Sequence, residues 1–140
     1  MDVRLKRAYE PVSEEDGYRV LIDRLWPRGV SRQRAELDEW ERELAPTPAL
    51  RQWFAHEPSR FEEFGRRYVE ELRGQRPRLA HLRRRARLGR VTLVYAARDR
   101  EHNDAVVLAQ VLRRGLPRAD ERRMAQRGTK ASNEPGRERA

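Results

Sequence analysis

The sequence predicts an α/β fold, with a small, mostly parallel three-stranded sheet flanked by about five helices in a single layered domain. Short β-branched segments alternate along the chain with segments whose apolar residues recur at helical spacing. The clearest strand, Val91–Tyr95, is continuously apolar, which is typical of a strand buried on both faces of a parallel sheet. A long connection precedes this strand, and parallel pairing requires such a connection.

The two other predicted strands lie near the N-terminus. Residues 3–9 alternate weakly between apolar and polar side chains, and residues 18–25 contain the compact apolar run Val20-Leu21-Ile22. A turn-rich segment separates these strands. The sequence Trp-Pro-Arg-Gly at 26–29 is predicted to end the second strand, because Pro and Gly interrupt a strand ladder.

The predicted helices are placed by capping residues and by apolar spacing. The first is expected to begin after Ser31 and to continue past Trp40 to Leu44. Ser59 with Glu62 matches the pattern of a capping box. The predicted N-caps are Ser31, Thr47, Ser59 and Asp99, and the remaining helix is predicted over 77–88.

Composition indicates one basic domain followed by a tail. The chain has 140 residues and a formal net charge of +9. Residues 1–115 carry the strand and helix patterns and form the predicted domain. Residues 116–140 have no apolar period and are predicted to be a basic, disordered C-terminal tail.

Several classes of function lack their sequence signature. Cysteine is absent, which excludes disulfides and thiolate chemistry. No apolar run reaches the length of a membrane span, and the N-terminus has no apolar signal segment. We therefore expect a cytoplasmic protein with no membrane partner. Because the glycine-rich nucleotide loops, the nucleophile elbow and the paired-histidine metal motifs are also missing, we predict no cofactor and no metal.

Polar side chains follow the second and third predicted strands where each strand ends. Ligands of open α/β sheets bind at the carboxyl ends of strands, so these side chains are predicted to form one site. Small residues at 96 and 97 leave room for a ligand. The predicted residues are Asp23, Arg24, Trp26, Arg28, Arg98, Asp99, His102 and Asn103.

Each predicted role has a structural alternative. The arginines would hold an anion, while Asp23, Asp99 and His102 would orient the ligand or transfer a proton as catalytic residues. Trp26 would stack on a ring. Alternatively, Asp23 forms an ion pair, Asp99 caps a helix, His102 lies on a helix surface and Trp26 belongs to the core.

An arginine-rich helix favours nucleic-acid binding as an alternative function. Residues 76–90 contain seven arginines and no acidic residue, so this segment is a candidate surface for nucleic acid. The arginines predicted to contact the phosphates are Arg83, Arg84, Arg85 and Arg87. The alternative is an ordinary exposed helix in a chain with 30 Arg and 2 Lys, a ratio that GC-rich coding favours.

Long motifs in the chain resemble domain-of-unknown-function family 488 (DUF488), the YeaO-like bacterial proteins. The matching strings include DGYRVLIDRLWPRGVS, FEEFGRRYVEEL and VTLVYAARDREHNDAVVLAQVL, and the resemblance covers about residues 2–113. Family members usually read Gly-His-Asp-Pro where this chain has Ala55-His56-Glu57-Pro58. The resemblance implies a small α/β fold and adds His56 to the predicted site, but it implies no activity.

Three functions fit these observations. The leading prediction is a small enzyme or binding protein that acts on an anionic small molecule, such as a nucleotide or phosphorylated metabolite. The second is a nucleic-acid-associated module that uses the arginine-rich helix and the basic tail. The third is a structural or adaptor protein whose charged strand ends form only an ion-pair network.

Overall fold

The computed structural model describes residues 1–118 and contains a four-stranded parallel sheet with five α-helices. The strands, in chain order, are β1 (Val3–Arg7), β2 (Tyr18–Leu21), β3 (Glu39–Trp40) and β4 (Val91–Tyr95). The helices are α1 (Arg32–Ala35), α2 (Pro48–Phe54), α3 (Phe61–Leu72), α4 (Arg76–Leu88) and α5 (Asp104–Arg114). The predicted α/β class and parallel sheet are confirmed, with four strands in place of three.

Strand β4 lies inside the sheet, whose order is β1-β4-β2-β3 with every pair parallel. All five of its residues are buried, as its continuous apolar sequence predicted. Alternate side chains of β4 lie on opposite faces of the sheet. Val91, Leu93 and Tyr95 join the main apolar core, which is built mostly with residues of the helices.

The region after Ser31 is the main departure from the predicted elements. Ser31 does cap a helix, accepting a hydrogen bond from the Arg34 backbone N–H at 3.0 Å, but α1 ends after one turn. Glu36 takes a left-handed backbone conformation with φ +44°, which turns the chain out of the helix. Trp40 then lies in β3 and pairs with Leu21, so the predicted helix through Leu44 is wrong.

Helices α2 and α3 lie where apolar spacing predicted helices. Thr47 caps α2 with Pro48 at the first helical position. Helix α3 buries Phe64, Tyr68 and Leu72. The predicted capping box at Ser59 is wrong, because Ser59 lies in a single 3₁₀ turn, Pro58–Arg60, that leads into α3.

Helix α4 buries Leu79, Leu82 and Ala86, as its spacing predicted. Helix α5 begins four residues later than predicted, because its N-cap is Asn103 and not Asp99. Beyond α5, Leu116 packs against the core and the Pro117 carbonyl accepts a hydrogen bond from Arg73. The rest of the predicted tail, residues 119–140, lies outside the described residues.

Within residues 1–118 no helix combines the length and apolarity that crossing a bilayer requires.

Candidate functional site

A cleft of about 850 Å³ opens at the carboxyl edge of the sheet. Asp23 follows β2 and Ala96 follows β4, and these neighbouring parallel strands bring the two segments together. Helix α2, the start of α5 and the loop after β1 complete the walls. We call this feature the carboxyl-edge cleft. All nine residues of the predicted small-molecule site line it: Asp23, Arg24, Trp26, Arg28, His56, Arg98, Asp99, His102 and Asn103.

The segment after β2 presents Arg28 at the tip of a tight turn. The Val30 N–H donates to the Pro27 carbonyl at 3.3 Å, and Gly29 at φ +80° supplies the positive φ of a type II turn. The Tyr9 hydroxyl donates to the Arg28 carbonyl at 2.9 Å and holds the turn from the other side. The Arg28 side chain is therefore exposed on an anchored backbone.

Two of the predicted binding residues have clear structural partners. Arg24 donates to the backbone carbonyls of Ala45 and Pro46, which ties the segment before α2 to the end of β2. Asn103 is 2 % exposed and uses both ends of its amide. Its oxygen accepts from the Val106 N–H at 3.0 Å, and its nitrogen donates to the Asp99 carbonyl at 2.8 Å.

Trp26 is half-buried and packs edge-on against Trp40 at 5.3 Å between ring centroids. Its indole N–H donates to the Val30 carbonyl at 2.5 Å. The Arg32 guanidinium lies over its ring, 4.6 Å from the centroid. Trp26 therefore packs within the protein, as one prediction has it. It also lines the cleft, as the other prediction, stacking on a ring of the ligand, requires.

Asp99 and His102 form a carboxylate–imidazole pair at the cleft wall. Asp99 Oδ2 lies 2.8 Å from His102 Nδ1, and Asp99 Oδ1 accepts from the backbone N–H groups of Glu101 and His102. These bonds, the Glu101 N–H first and His102 next, lower the pKa of Asp99 below its ordinary value. Within residues 1–118, His102 Nε2 has no hydrogen-bond partner, so it is available to a ligand.

His56 follows Ala55 in a loop where both residues have a left-handed backbone, with φ values of +56° and +50°. Ala55 is the C-cap of α2 and occupies the position where the family usually has glycine. The loop therefore keeps a tight turn without the glycine. His56 is exposed at the cleft mouth, and its ring lies 6.2 Å from that of Phe54.

Asp104 is the main cleft residue that sequence reasoning missed. Its carboxyl group lies near that of Asp23, and Asp23 Oδ2 accepts from the Ala96 N–H at 2.8 Å. Burial, followed by the nearby negative charge of Asp23, raises the pKa of Asp104 well above its ordinary value. Asp104 directly follows the predicted His102-Asn103 segment, but only the fold shows its approach to Asp23.

Helix α2 adds Arg51 and Gln52 to the cleft wall, which the sequence did not single out. Within the described chain, the side chains of Arg28, Arg51 and Arg98 have no hydrogen-bond or ion-pair partner, and all three residues are exposed. The cleft thus combines three guanidinium groups that have no partner within residues 1–118 with the Asp23 and Asp104 carboxyl groups.

The arginine-rich helix α4 presents fewer free cations than its sequence suggests. Arg84 and Arg87 are exposed, but Arg83 and Arg85 are half-buried. The Arg85 guanidinium stacks on the Tyr18 ring, 3.8 Å from its centroid. The Nε atoms of Arg83 and Arg85 are buried with no hydrogen-bond partner in residues 1–118, so both side chains are partly withdrawn from any phosphate.

The fold and the site together define a small parallel α/β protein with an arginine-lined cleft at the carboxyl edge of its sheet. The chain belongs to the DUF488 family, since the profile described as "Inactive DUF488-N3 subclade" matches residues 2–132. The predicted resemblance is therefore confirmed.

Two bacterial proteins named as uncharacterized are similar to this chain over most of its length. The uncharacterized protein Rv3073c of Mycobacterium tuberculosis (strain ATCC 25618 / H37Rv) is 43% identical over 110 residues, 79% of this chain and 92% of the relative. The uncharacterized protein YeaO of Escherichia coli (strain K12) is 39% identical over 113 residues, 81% of this chain and 98% of the relative. No solved structure matches the chain.

Proposed function

We propose that the protein binds an anionic small molecule, a nucleotide or another phosphorylated metabolite, in the carboxyl-edge cleft. One observation carries this proposal: Arg28, Arg51 and Arg98 line the cleft, and within residues 1–118 none of them has an acceptor. A guanidinium group donates two parallel hydrogen bonds to a phosphate and stays charged at any physiological pH. Unpaired arginines grouped around one concavity therefore favour an anionic ligand.

The rest of the cleft supports a ligand with a larger organic part. Its volume of about 850 Å³ lies in the range of small-molecule sites. Trp26, Phe54 and Phe64 add apolar surface for a ring, and the small side chains of Ala96 and Ala97 leave room at the end of β4. The Asp23–Asp104 pair offers lone pairs to donor groups of the ligand.

We favour binding over turnover. Asp99 and His102 have the arrangement of an oriented general base, so proton transfer would need no new residue. The matching profile, however, describes the subclade as inactive, which supports a binding protein. We also place the protein in the cytoplasm, where nucleotides and phosphorylated metabolites are abundant.

The first experiment is a thermal-shift screen of the full chain against nucleoside monophosphates, nucleoside diphosphates, sugar phosphates and inorganic phosphate, followed by calorimetry. A ligand at 100 times its Kd should stabilise the fold by about 2.7 kcal/mol. Arg98→Ala should weaken binding by roughly 10- to 100-fold, since a hydrogen bond to a charged group contributes about 1.5–3 kcal/mol. Arg84→Ala on helix α4 is the matched control and should leave the affinity unchanged.

The nucleic-acid alternative is tested in the same screen with short oligonucleotides at two salt concentrations. Binding that falls steeply with salt, ignores Arg98→Ala and is lost in the Arg84→Ala/Arg87→Ala double variant would replace the proposal. We choose Arg84 and Arg87 because they are exposed, so their loss should not disturb packing. Stabilisation by no small anion at either salt concentration would reject the cleft as an anion site.

A further inference from the structure

A second group of reactive side chains joins strand β3 to helix α4, and none of them lines the carboxyl-edge cleft. Glu39 is half-buried, Glu41 is 6 % exposed, and the His81 side chain is 39 % exposed. One ligand atom from each residue can be chosen so that all three lie within 4.8 Å of one another. We call these residues the β3–α4 cluster.

The contacts inside the cluster are short and directed. His81 Nε2 lies 2.9 Å from Glu39 Oε1, and that oxygen also accepts from the Tyr18 hydroxyl at 2.6 Å. A carboxylate oxygen of Glu39 and one of Glu41 lie within 4.8 Å of each other. Arg78 Nη1 donates to Glu41 Oε1 at 3.1 Å from the solvent side.

This packing places two carboxyl groups against each other in a largely buried position. Both can be ionised there only at a cost, because like charges repel strongly where water is scarce. A proton between the carboxyl groups relieves this repulsion, and a divalent cation would relieve it more completely. The cluster also contains an imidazole nitrogen at the same point, which a simple carboxyl pair lacks.

We propose that Glu39, Glu41 and His81 bind a divalent transition-metal cation of the zinc class, with water completing the coordination. One imidazole nitrogen and two carboxylate oxygens form a donor set that Zn²⁺ accepts at bond lengths of about 2.0–2.2 Å. Tetrahedral geometry at these lengths separates neighbouring donors by about 3.3 Å. The observed separation of 2.9 Å between Nε2 and Oε1 is close to that value. Since all three donor atoms lie within 4.8 Å of one another, side-chain rotation without backbone movement would bring them to one ion.

The surroundings fit this assignment. The Tyr18 hydroxyl donates a hydrogen bond to the Glu39 carboxylate and holds it in place. Metal-binding carboxylates commonly have such hydrogen-bond partners behind them. Arg78 is the competing cation, and its side chain is 47 % exposed and can swing into solvent. Mg²⁺ and Ca²⁺ are disfavoured, because both prefer sites built from oxygen ligands alone.

The test is a titration of the metal-free full chain with Zn²⁺ and with Co²⁺. Calorimetry measures the binding of both ions, and visible absorption reports the coordination of bound cobalt. We expect one site per chain and a tetrahedral cobalt spectrum. His81→Ala and Glu41→Gln should each weaken binding by tenfold or more. Arg78→Gln should strengthen binding, because it removes the competing charge, whereas the matched change Arg84→Gln should leave the affinity unchanged.

Two results would overturn the metal site. The first is wild-type protein that binds neither cation, or binds both equally well after His81→Ala. The second is a cobalt spectrum that survives His81→Ala and disappears in His102→Ala, which would place the metal in the cleft. Thermal unfolding of the metal-free variants distinguishes the loss of a metal ligand from the loss of the fold. If His81→Ala does not fold, His81→Gln replaces it as the variant that lacks the imidazole.

Discussion

Among the glycines of residues 1–118, Gly17 has the least room for a side chain. Its φ is +67°, and a Cβ built at this position would lie 2.4 Å from the Arg90 carbonyl oxygen. The turn that Gly17 makes brings the start of β2 beside the start of β4, where the Tyr18 N–H donates to that same carbonyl at 2.9 Å. A side chain at position 17 would push these two strands apart.

We predict that Gly17→Ala destabilises the protein far more than Gly29→Ala. Gly29 has a similar φ of +80°, but a Cβ there would meet nothing within 4 Å. The Gly29→Ala variant should therefore lose only about 1–2 kcal/mol of stability, which is the cost of a left-handed backbone conformation for a residue with a Cβ. Urea unfolding of the two variants gives the comparison, and equal losses would show that the clash with Arg90 is easily relaxed.

The raised pKa of Asp104 predicts a pH dependence at the residue scale. Because folding raises the pKa of Asp104, the folded chain binds more protons than the unfolded chain above the ordinary aspartate pKa. The contribution of Asp104 to the free energy of unfolding is fully present below the ordinary aspartate pKa. It is lost as pH rises through the higher pKa of the folded state. We predict that Asp104→Asn removes this loss, so that the variant gains stability relative to wild type as pH rises.

Denaturant unfolding of the wild type and of Asp104→Asn at several pH values between 4 and 9 measures this difference. Stability curves that stay parallel across the range would show that Asp104 ionises normally. Asp99→Asn, measured in a series extended below pH 4, serves as a comparison with the opposite sign, because folding lowers the pKa of Asp99 and its contribution is lost as pH falls below the ordinary aspartate pKa.

At the element scale, the end of helix α2 carries an unusual backbone. Ala55 has a left-handed φ of +50° at the C-cap, and its N–H donates to the Arg51 carbonyl. Alanine pays a steric cost in this conformation that glycine does not. The position tolerates alanine here because the side chain is exposed and meets no packing restriction.

We therefore predict that Ala55→Gly stabilises the protein by about 0.5–1 kcal/mol, since the relief of strain exceeds the added freedom of the unfolded chain. The melting temperature should rise by a few degrees. Ala49→Gly, inside the same helix, is the matched control and should lower it. A lower melting temperature for both variants would contradict the strain at the C-cap.

Helix and strand prediction succeeded where the local pattern agreed with the tertiary structure and failed where it did not. Strand β4 and helix α4 carry one clear periodicity each, and both formed as predicted. The segment at Glu39–Trp40 carries helical spacing but forms β3, because the Asp38 N–H and the Glu41 N–H donate to carbonyls of β2. Tertiary pairing outweighed local propensity there.

For the whole molecule, acid stability should depend on a buried ion-pair network at the amino end of the sheet. Asp16 is 7 % exposed and accepts from Lys6 of β1 at 2.9 Å and from Arg19 of β2 at 2.7 Å. Burial alone would raise the pKa of Asp16, but the bonds from Lys6, the Ser13 N–H and Arg19 lower it overall. Its contribution to stability is thus present above the ordinary aspartate pKa and is lost as pH falls below it.

We predict that Asp16→Asn costs about 3–5 kcal/mol at neutral pH, the usual effect of leaving a buried cation without its partner. The loss should shrink as pH falls toward the acid range, where the wild type loses the same pairs. Asp2→Asn, which removes an exposed pair with Arg4 and Arg90, should have little effect. A small, pH-independent cost for Asp16→Asn would contradict the network.

The sequence by itself determined the fold class, the central buried strand and the edge of the sheet where polar residues gather. These features follow from periodicity and from the rule that parallel strands end on one side, and both can be read from neighbouring residues. The converging segments around Asp23 and Arg98 were found in this way. Their role in binding a ligand stays a prediction.

Only the tertiary structure decided which side chains are already engaged and which distant ones meet. Arg24 and Asn103 are tied to the backbone, whereas Arg28, Arg51 and Arg98 have no partner within residues 1–118. Glu39 and His81 touch although 42 positions separate them. Such contacts depend on how the elements pack, and local sequence patterns carry no information about the distance between elements far apart in the chain.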